Sequence, residues 1–126
     1  MLKILADIAT LIVAFEALGI MLLEMFGAQT LMAQKVFDLT AAYLKQKEAQ
    51  ISMANQGLYN GFIGVGILLI RFAFPQQAVY PGLLLFISFV VIAAIFASFT
   101  ASKKIILTQG LPAIIASIFV VLAAAS

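Results

Sequence analysis

Four long apolar runs divide the chain, and most of its charged residues lie between these runs or near their ends. The runs cover residues 4–26, 51–74, 79–101 and 105–125. Each reaches the ~20 residues that an α-helix needs to cross the hydrocarbon layer of a bilayer, and none shows the alternating polarity of a transmembrane strand. The pattern therefore predicts an all-α membrane protein, a four-transmembrane-helix bundle that forms a single domain over residues 1–126.

The composition supports an integral membrane protein. Charged residues make up 10% of the chain and its mean hydropathy is +1.20, whereas soluble domains carry about 25% charged residues. The first run is longer than the apolar part of a secretory signal and contains acidic residues, so we expect it to stay in the protein. Cysteine and histidine are absent, which excludes disulfides, thiol chemistry, imidazole-ligated haem and the common zinc sites. We expect no metal and no cofactor.

The connection between the first two spans, residues 27–50, is the one long connection. Its second half, residues 41–50, favours helix and is amphipathic, and Asp38 or Thr40 is available as the N-cap. Two placements fit this segment. It lies along the membrane surface as an amphipathic helix, or it extends the second span.

Basic residues predict the orientation. With four crossings, residues 27–50 and the turn at 102–104 share one side, and both termini lie on the other. The first side carries five lysines, whereas the second carries Lys3 and Arg71. The positive-inside rule therefore places residues 27–50 and 102–104 in the cytoplasm and both termini outside the inner (plasma) membrane. Orientation also explains the net charge of +2, so the predicted partner is the lipid bilayer, and no nucleic acid is expected.

One carboxyl, Glu16, lies near the centre of the first apolar run. An ionisable group at this depth costs about 2.5–3.5 kcal/mol or more, so it normally faces the protein interior or a water-filled cavity. Counting ~1.5 Å of helix rise per residue puts Asn60 of the second span at nearly the same depth, and we expect the two to be partners. Either Glu16 is a protonated acid that joins two helices by a hydrogen bond, or it exchanges a proton or binds a cationic ligand.

Further polar residues gather towards the predicted cytoplasmic side. If the first two spans are antiparallel neighbours, Glu24 comes level with residues 52–56, and Gln109 joins the same layer. The predicted ligand- or proton-binding residues are Glu16, Glu24, Asn55, Gln56, Asn60 and Gln109. At the outer end, Asp7 and Arg71 match in depth, which predicts an ion pair across the same two helices.

Glycines form one face of the second span. At ~100° per residue, Gly57, Gly61 and Gly64 fall within a narrow sector, where they let another backbone approach closely. We therefore predict helix packing through this face.

The polar stretch at 54–62, Ala-Asn-Gln-Gly-Leu-Tyr-Asn-Gly-Phe, is unusual within a membrane span. Together with residues 14–20, 23–26 and 109–113, it resembles the bacterial membrane family known as domain of unknown function 1304, over nearly the whole chain. The resemblance implies a four-helix membrane protein without an assigned activity. The chain departs from the family pattern at Ala17 and Gly19, where a histidine and an aromatic residue are typical.

Two functions fit these residues. The first is a proton-coupled transporter or ligand-binding protein for a small solute or cation, with its polar intramembrane site centred on Glu16. Small multidrug-resistance transporters have a similar length and a carboxyl in their first helix, and by this analogy we expect a homodimer or higher homo-oligomer. The alternative is a non-catalytic structural or accessory protein that associates through the glycine face of the second span. No nucleophile–base arrangement, metal box or phosphate loop can be assembled from these residues, so we do not expect an enzyme.

Overall fold

A computed structural model describes residues 1–126, and it contains helices and no strand. Four helices are long and apolar enough to cross a membrane, which confirms the predicted four-helix architecture. The last of these spans, Ile106–Ala125, begins with a π-helical turn. In chain order the elements are α1 (Leu2–Phe26), α2 (Leu31–Phe37), α3 (Ala41–Leu44), α4 (Lys47–Ala73), α5 (Gln76–Thr100), the π-helical turn (Ile106–Gly110) and α6 (Leu111–Ala125).

The second and third spans begin earlier than the apolar runs predict. Helix α4 starts at Lys47 because residues 47–50 are good helix formers, and they continue the helix beyond the apolar run. At the other end, Pro75 disfavours helical geometry in the residue before it, and Phe74 is extended, with φ −87° and ψ 154°. Helix α5 then starts directly after Pro75, so α4 and α5 form a tight hairpin.

Two short helices, α2 and α3, form most of the long connection. Each begins at a threonine whose hydroxyl accepts a backbone N–H: Thr30 caps α2 and Thr40 caps α3. Asp38, the other predicted N-cap, instead ends α2 in the left-handed conformation, with φ 55°. The predicted helix over 41–50 is broken because Gln46 is extended. Its first part is α3 and its second part extends α4, so neither predicted placement applies to the whole segment.

The four long helices form a closed ring. Helix α1 packs mainly against α4 and α6, and α5 packs against the same two helices from the opposite side. Large side chains such as Ile67, Leu83 and Ile87 fill the centre, while alanines on α1 and α6 let those two helices approach closely. Phe96 and Phe99 point outward and are 68% and 87% exposed. An apolar outer surface of this kind is suited to lipid.

The glycine face of α4 lies inside the bundle, against α1. Gly57, Gly61 and Gly64 are buried. A Cβ added at Gly57 would lie 2.8 Å from Cγ of Met25, and one at Gly64 would lie 2.8 Å from the backbone oxygen of Ala14. The glycines thus act within the chain. Association with another protein through this face, the alternative prediction, is contradicted because α1 already covers it.

Candidate functional site

A cavity of about 420 Å³ lies between α4 and α5 and is closed at its inner side by α1 and the π-helical turn. We call it the lateral cavity. Three of its wall residues, Tyr59, Phe62 and Phe89, are 69%, 55% and 47% exposed on the outer surface of the bundle. The cavity therefore opens sideways, where a membrane span faces lipid. Its complete lining is Glu24, Phe37, Gln56, Tyr59, Asn60, Phe62, Ile63, Phe89, Val90, Ala93, Ala97, Ile105 and Gln109.

A hydrogen bond between Glu24 and Asn60 forms the polar part of the inner wall. Asn60 Nδ2 donates to Oε2 of Glu24 at 2.8 Å. The Glu24 residue is only 1% exposed, and no lysine or arginine lines the cavity with it. The Glu24 carboxyl group thus has one amide as its hydrogen-bond partner and no cationic neighbour in the cavity wall. A buried carboxylate without a counter-ion is costly, so a cation placed beside it is stabilised.

Gln56 and Gln109 complete the polar part of the wall. Gln56 lies one helical turn before Asn60 on α4, which puts both amides on the same side of that helix. Gln109 lies in the π-helical turn, whose extra residue per turn changes the direction of the side chains relative to an α-helix. Such turns occur frequently at functional sites. The structure therefore brings four of the six predicted binding residues to one cavity: Glu24, Gln56, Asn60 and Gln109.

Glu16 lies outside the lateral cavity. It lines a separate space of about 20 Å³, which also touches Asn60, Val90 and Gln109 and has room for about one water molecule. The predicted Glu16–Asn60 hydrogen bond is wrong, because the Asn60 amide donates to Glu24. The contacts between α1 and the glycines of α4 explain why Asn60 meets Glu24 and not Glu16.

The packing of α1 against the α4 glycines sets the axial register of the two helices. Gly61 lies against Met21, and Gly64 lies against Leu18 and Ala14. Asn60 consequently lies level with the last turns of α1. Depth counted from the ends of the apolar runs put Asn60 level with Glu16. Glu16 lies more than one helical turn from Glu24 along α1, so the count paired Asn60 with the wrong carboxyl.

Asn55 is not part of the cavity. Its side chain is exposed, and Nδ2 donates to the backbone oxygen of Ile51 on its own helix at 2.9 Å. Asn55 is next to Gln56 in the chain, but the ~100° step between them turns its side chain to a different side of α4. Asn55 therefore does not contribute to the polar wall.

Asp7 and Arg71 form a bidentate ion pair at the opposite end of α1 and α4. Nε of Arg71 donates to Oδ1 of Asp7 at 2.5 Å, and Nη2 donates to Oδ2 at 2.6 Å. The guanidinium also lies 5.4 Å from the ring centre of Phe72, within the range of a cation–π contact. The pair joins the start of α1 to the end of α4, and it is separate from the lateral cavity.

Aromatic wall residues are the part of the site that sequence reasoning missed. Tyr59 and Phe62 pack edge to face, with ring centres 5.9 Å apart, and Phe89 of α5 lines the same cavity. The sequence does contain a signal: Gln56, Tyr59, Asn60 and Ile63 recur at three- and four-residue spacing, the pattern of one helix face.

A carboxylate beside aromatic rings is chemically suited to a cation. No group of three or more histidine, cysteine, aspartate or glutamate side chains comes together that could hold a metal ion. Aromatic faces attract organic cations, and the carboxylate attracts them more strongly in an apolar cavity than in water. An anion would meet the Glu24 carboxyl group and no compensating positive charge in the wall.

Comparisons with known proteins identify a family and assign no activity. The model of a family described as Protein of unknown function (DUF1304) matches residues 11–121. The chain is also similar to the uncharacterized protein YpaA of Lactococcus lactis subsp. lactis (strain IL1403). The two are 38% identical over 117 residues, which are 93% of this chain and 97% of that protein. No solved structure matches the chain.

Proposed function

This chain belongs to the DUF1304 family of unknown function, and we propose that it is a membrane protein that binds a small organic cation with apolar substituents in the lateral cavity. One observation carries the proposal. The Glu24 carboxyl group is 1% exposed, it lies in a cavity of about 420 Å³ with aromatic walls, and the cavity supplies no positive charge. The cation would provide the missing charge. The centre of the site is thus Glu24, in place of the predicted Glu16.

The cavity supports a ligand of defined size and chemistry. Its volume lies in the range of small-molecule sites, about 300–1,000 Å³. Tyr59, Phe62 and Phe89 offer ring faces or edges to an apolar body. Gln56 and Gln109 offer amide groups that orient a polar substituent. These features fit an ammonium or phosphonium group that carries one aromatic or several alkyl substituents.

The lateral opening supports access from the bilayer. Tyr59 and Phe62 are among the most exposed cavity residues, and both lie within the α4 span. An apolar cation concentrates at the membrane, so it can reach the cavity between α4 and α5 without first crossing the protein from either end. We propose this as the route into the site.

Binding of a matched pair of probes tests the proposal. Benzyltrimethylammonium carries a positive charge, and neopentylbenzene is its neutral isostere. We expect the cation to bind the protein in lipid nanodiscs, measured by equilibrium dialysis. We expect Glu24→Gln to weaken cation binding about tenfold or more, equivalent to at least ~1.4 kcal/mol. The neutral probe should bind weakly and equally to both proteins.

Glu48→Gln is the matched control. It makes the same chemical change at an exposed carboxyl in the first turn of α4, outside the cavity. Equal cation affinity in the Glu24 and Glu48 variants would refute the proposal, because loss of the buried carboxyl would then matter no more than loss of a surface carboxyl. Helix content and size-exclusion profiles of both variants establish that they are folded.

Two extensions of the proposal concern the membrane. We propose that residues 27–50 and 102–104 are cytoplasmic, because that side carries five lysines. Labelling of single cysteines placed in each connection, in intact cells, tests this orientation.

We also propose that the bound cation is exchanged for a proton, which requires that a pH gradient across proteoliposomes drive cation flux. Cation flux that does not depend on the gradient would refute the proton coupling and leave the binding proposal standing.

A further inference from the structure

A second cavity, of about 290 Å³, lies at the end of the bundle where α1 meets the long connection. We call it the vestibule. Its wall contains the exposed Gln29 and the half-buried Gln50, so the vestibule reaches the surface beside the connection. Nε2 of Gln50 donates to the backbone oxygen of Lys45 at 3.1 Å, which anchors this amide. The complete lining is Glu24, Met25, Phe26, Ala28, Gln29 and Gln50.

Glu24 is the one residue that lines both the vestibule and the lateral cavity. It is the point at which the two cavities meet, and its side chain is held by a single side-chain hydrogen bond, from Asn60 at 2.8 Å. That bond keeps the carboxyl group against α4, on the lateral side. Loss of the bond frees the Glu24 side chain to adopt another staggered rotamer. The separation between the cavities therefore depends on one side chain and one hydrogen bond.

We infer that the vestibule is a second cation site, through which the Glu24 carboxyl group exchanges small hydrophilic cations with the aqueous phase. This inference rests on the proposed function of Glu24 in the lateral cavity. The two sites differ in the ligands they favour: the vestibule offers the amides of Gln29 and Gln50, whereas the lateral cavity offers aromatic rings. Compact, strongly hydrated ammonium ions suit the vestibule, and bulky apolar cations suit the lateral cavity. Asn60 is the positioning residue between them.

Single cysteines test the inference without background labelling, because the chain contains no cysteine. Ala28→Cys reports on the vestibule and Ala93→Cys reports on the lateral cavity. Both substitutions are small and spare the polar residues. Ala125→Cys, at an exposed position near the end of α6, measures the intrinsic reactivity of the reagent. All three variants are studied in lipid nanodiscs, which leave both faces of the membrane open to the reagent.

The first measurement is protection of the vestibule by a small cation. Methylammonium should slow the reaction of Ala28→Cys with neutral methyl methanethiosulfonate, and Ala125→Cys should be unaffected. Glu24→Gln should abolish the protection, whereas Glu48→Gln should retain it. Absence of protection in the chain with native Glu24, or equal protection in both glutamine variants, would overturn the vestibule as a cation site.

The second measurement concerns the separation of the two cavities. A trimethylammonium methanethiosulfonate reagent, which does not cross lipid, should label Ala93→Cys slowly. Adding Asn60→Leu, which removes the amide and keeps a similar volume, should raise that rate about tenfold, the effect expected for losing one hydrogen bond to a carboxylate. Gln29→Trp, which fills the vestibule, should reverse the increase. An accelerated rate that Gln29→Trp does not change would show that the reagent enters elsewhere and would overturn the route.

The two proposals fail in different ways. If benzyltrimethylammonium binding depends on Glu24 but methylammonium gives no protection at Ala28→Cys, the vestibule inference fails and the lateral site stands. If Glu24→Gln leaves benzyltrimethylammonium binding unchanged, the proposed function fails. The protection measurement needs no change at Asn60, so the inference can be refuted even if the Asn60→Leu protein does not fold.

Discussion

The contact between Gly64 and α1 makes a quantitative prediction about helix packing. A Cβ added at Gly64 would lie 2.8 Å from the backbone oxygen of Ala14 and 2.7 Å from Cγ of Leu18. Atoms in ordinary contact lie about 3.5 Å apart or more, so α1 and α4 must separate by roughly 0.7 Å. The Ala14 oxygen belongs to the helix backbone and cannot move aside alone. Overpacking of this kind costs about 1–3 kcal/mol, which is the predicted loss in free energy of unfolding for Gly64→Ala.

Gly19→Ala is the matched control for this prediction. A Cβ at Gly19 meets nothing within 4 Å, so we expect only the gain of about 0.5–1 kcal/mol that alanine has over glycine in a helix interior. Gly61→Ala should fall between the two variants, because the atoms nearest to its new Cβ belong to the side chain of Met21, which is flexible and can rotate away.

Reversible unfolding in mixed micelles, with increasing dodecyl sulfate and with helix content as the signal, ranks the three variants. The order of stability should be Gly19→Ala, then Gly61→Ala, then Gly64→Ala. Equal stabilities for Gly19→Ala and Gly64→Ala would refute the reasoning, since the two variants make the same chemical change and differ only in what the added carbon meets. Such a result would also reopen the glycine face as a surface for other proteins.

Three further predictions concern polar residues. Asp7→Arg and Arg71→Asp should each lower the free energy of unfolding by about 1–3 kcal/mol, and the double swap should recover part of it in the same assay, because the bidentate pair reforms; no recovery would argue against the pairing. Glu16→Gln should change benzyltrimethylammonium affinity by less than about threefold, because Glu16 lies outside the lateral cavity; a loss as large as that of Glu24→Gln would place Glu16 in the site. Thr30→Ala should speed amide exchange in α2, because Thr30 Oγ1 accepts from Ala33 N at 3.2 Å; unchanged exchange would mean that the cap contributes nothing.

The polar site was only partly predictable from the sequence. Polar residues inside apolar runs are conspicuous, and Glu24, Gln56, Asn60 and Gln109 all lie in the lateral cavity. Asn55 and Glu16 were predicted by the same reasoning and lie elsewhere. Polarity identifies a residue that needs a partner, but it does not say which side of the helix finds one. The phenylalanines of the walls gave no such signal, because phenylalanine suits lipid, protein core and ligand equally well.

The sequence by itself determined the all-helical class and the four helices that are long and apolar enough to cross a membrane. These properties follow from local composition, because a bilayer requires about 20 apolar residues per helix whatever the neighbouring helices are. Depth counting also brought Asp7 and Arg71 to the same level, and they form an ion pair in the structure.

Only the tertiary structure decided how the helices fit together. A slide of one turn between α1 and α4 moves each residue ~5.4 Å along its neighbour and hardly changes what either helix exposes to lipid, so hydropathy cannot select the register. The register depends on which side chains of α1 fit against Gly57, Gly61 and Gly64. That fit gives the Asn60 amide to Glu24 instead of Glu16, and it covers the glycine face with α1. The lateral cavity likewise exists only where α4, α5 and the π-helical turn meet, because no single helix contains it.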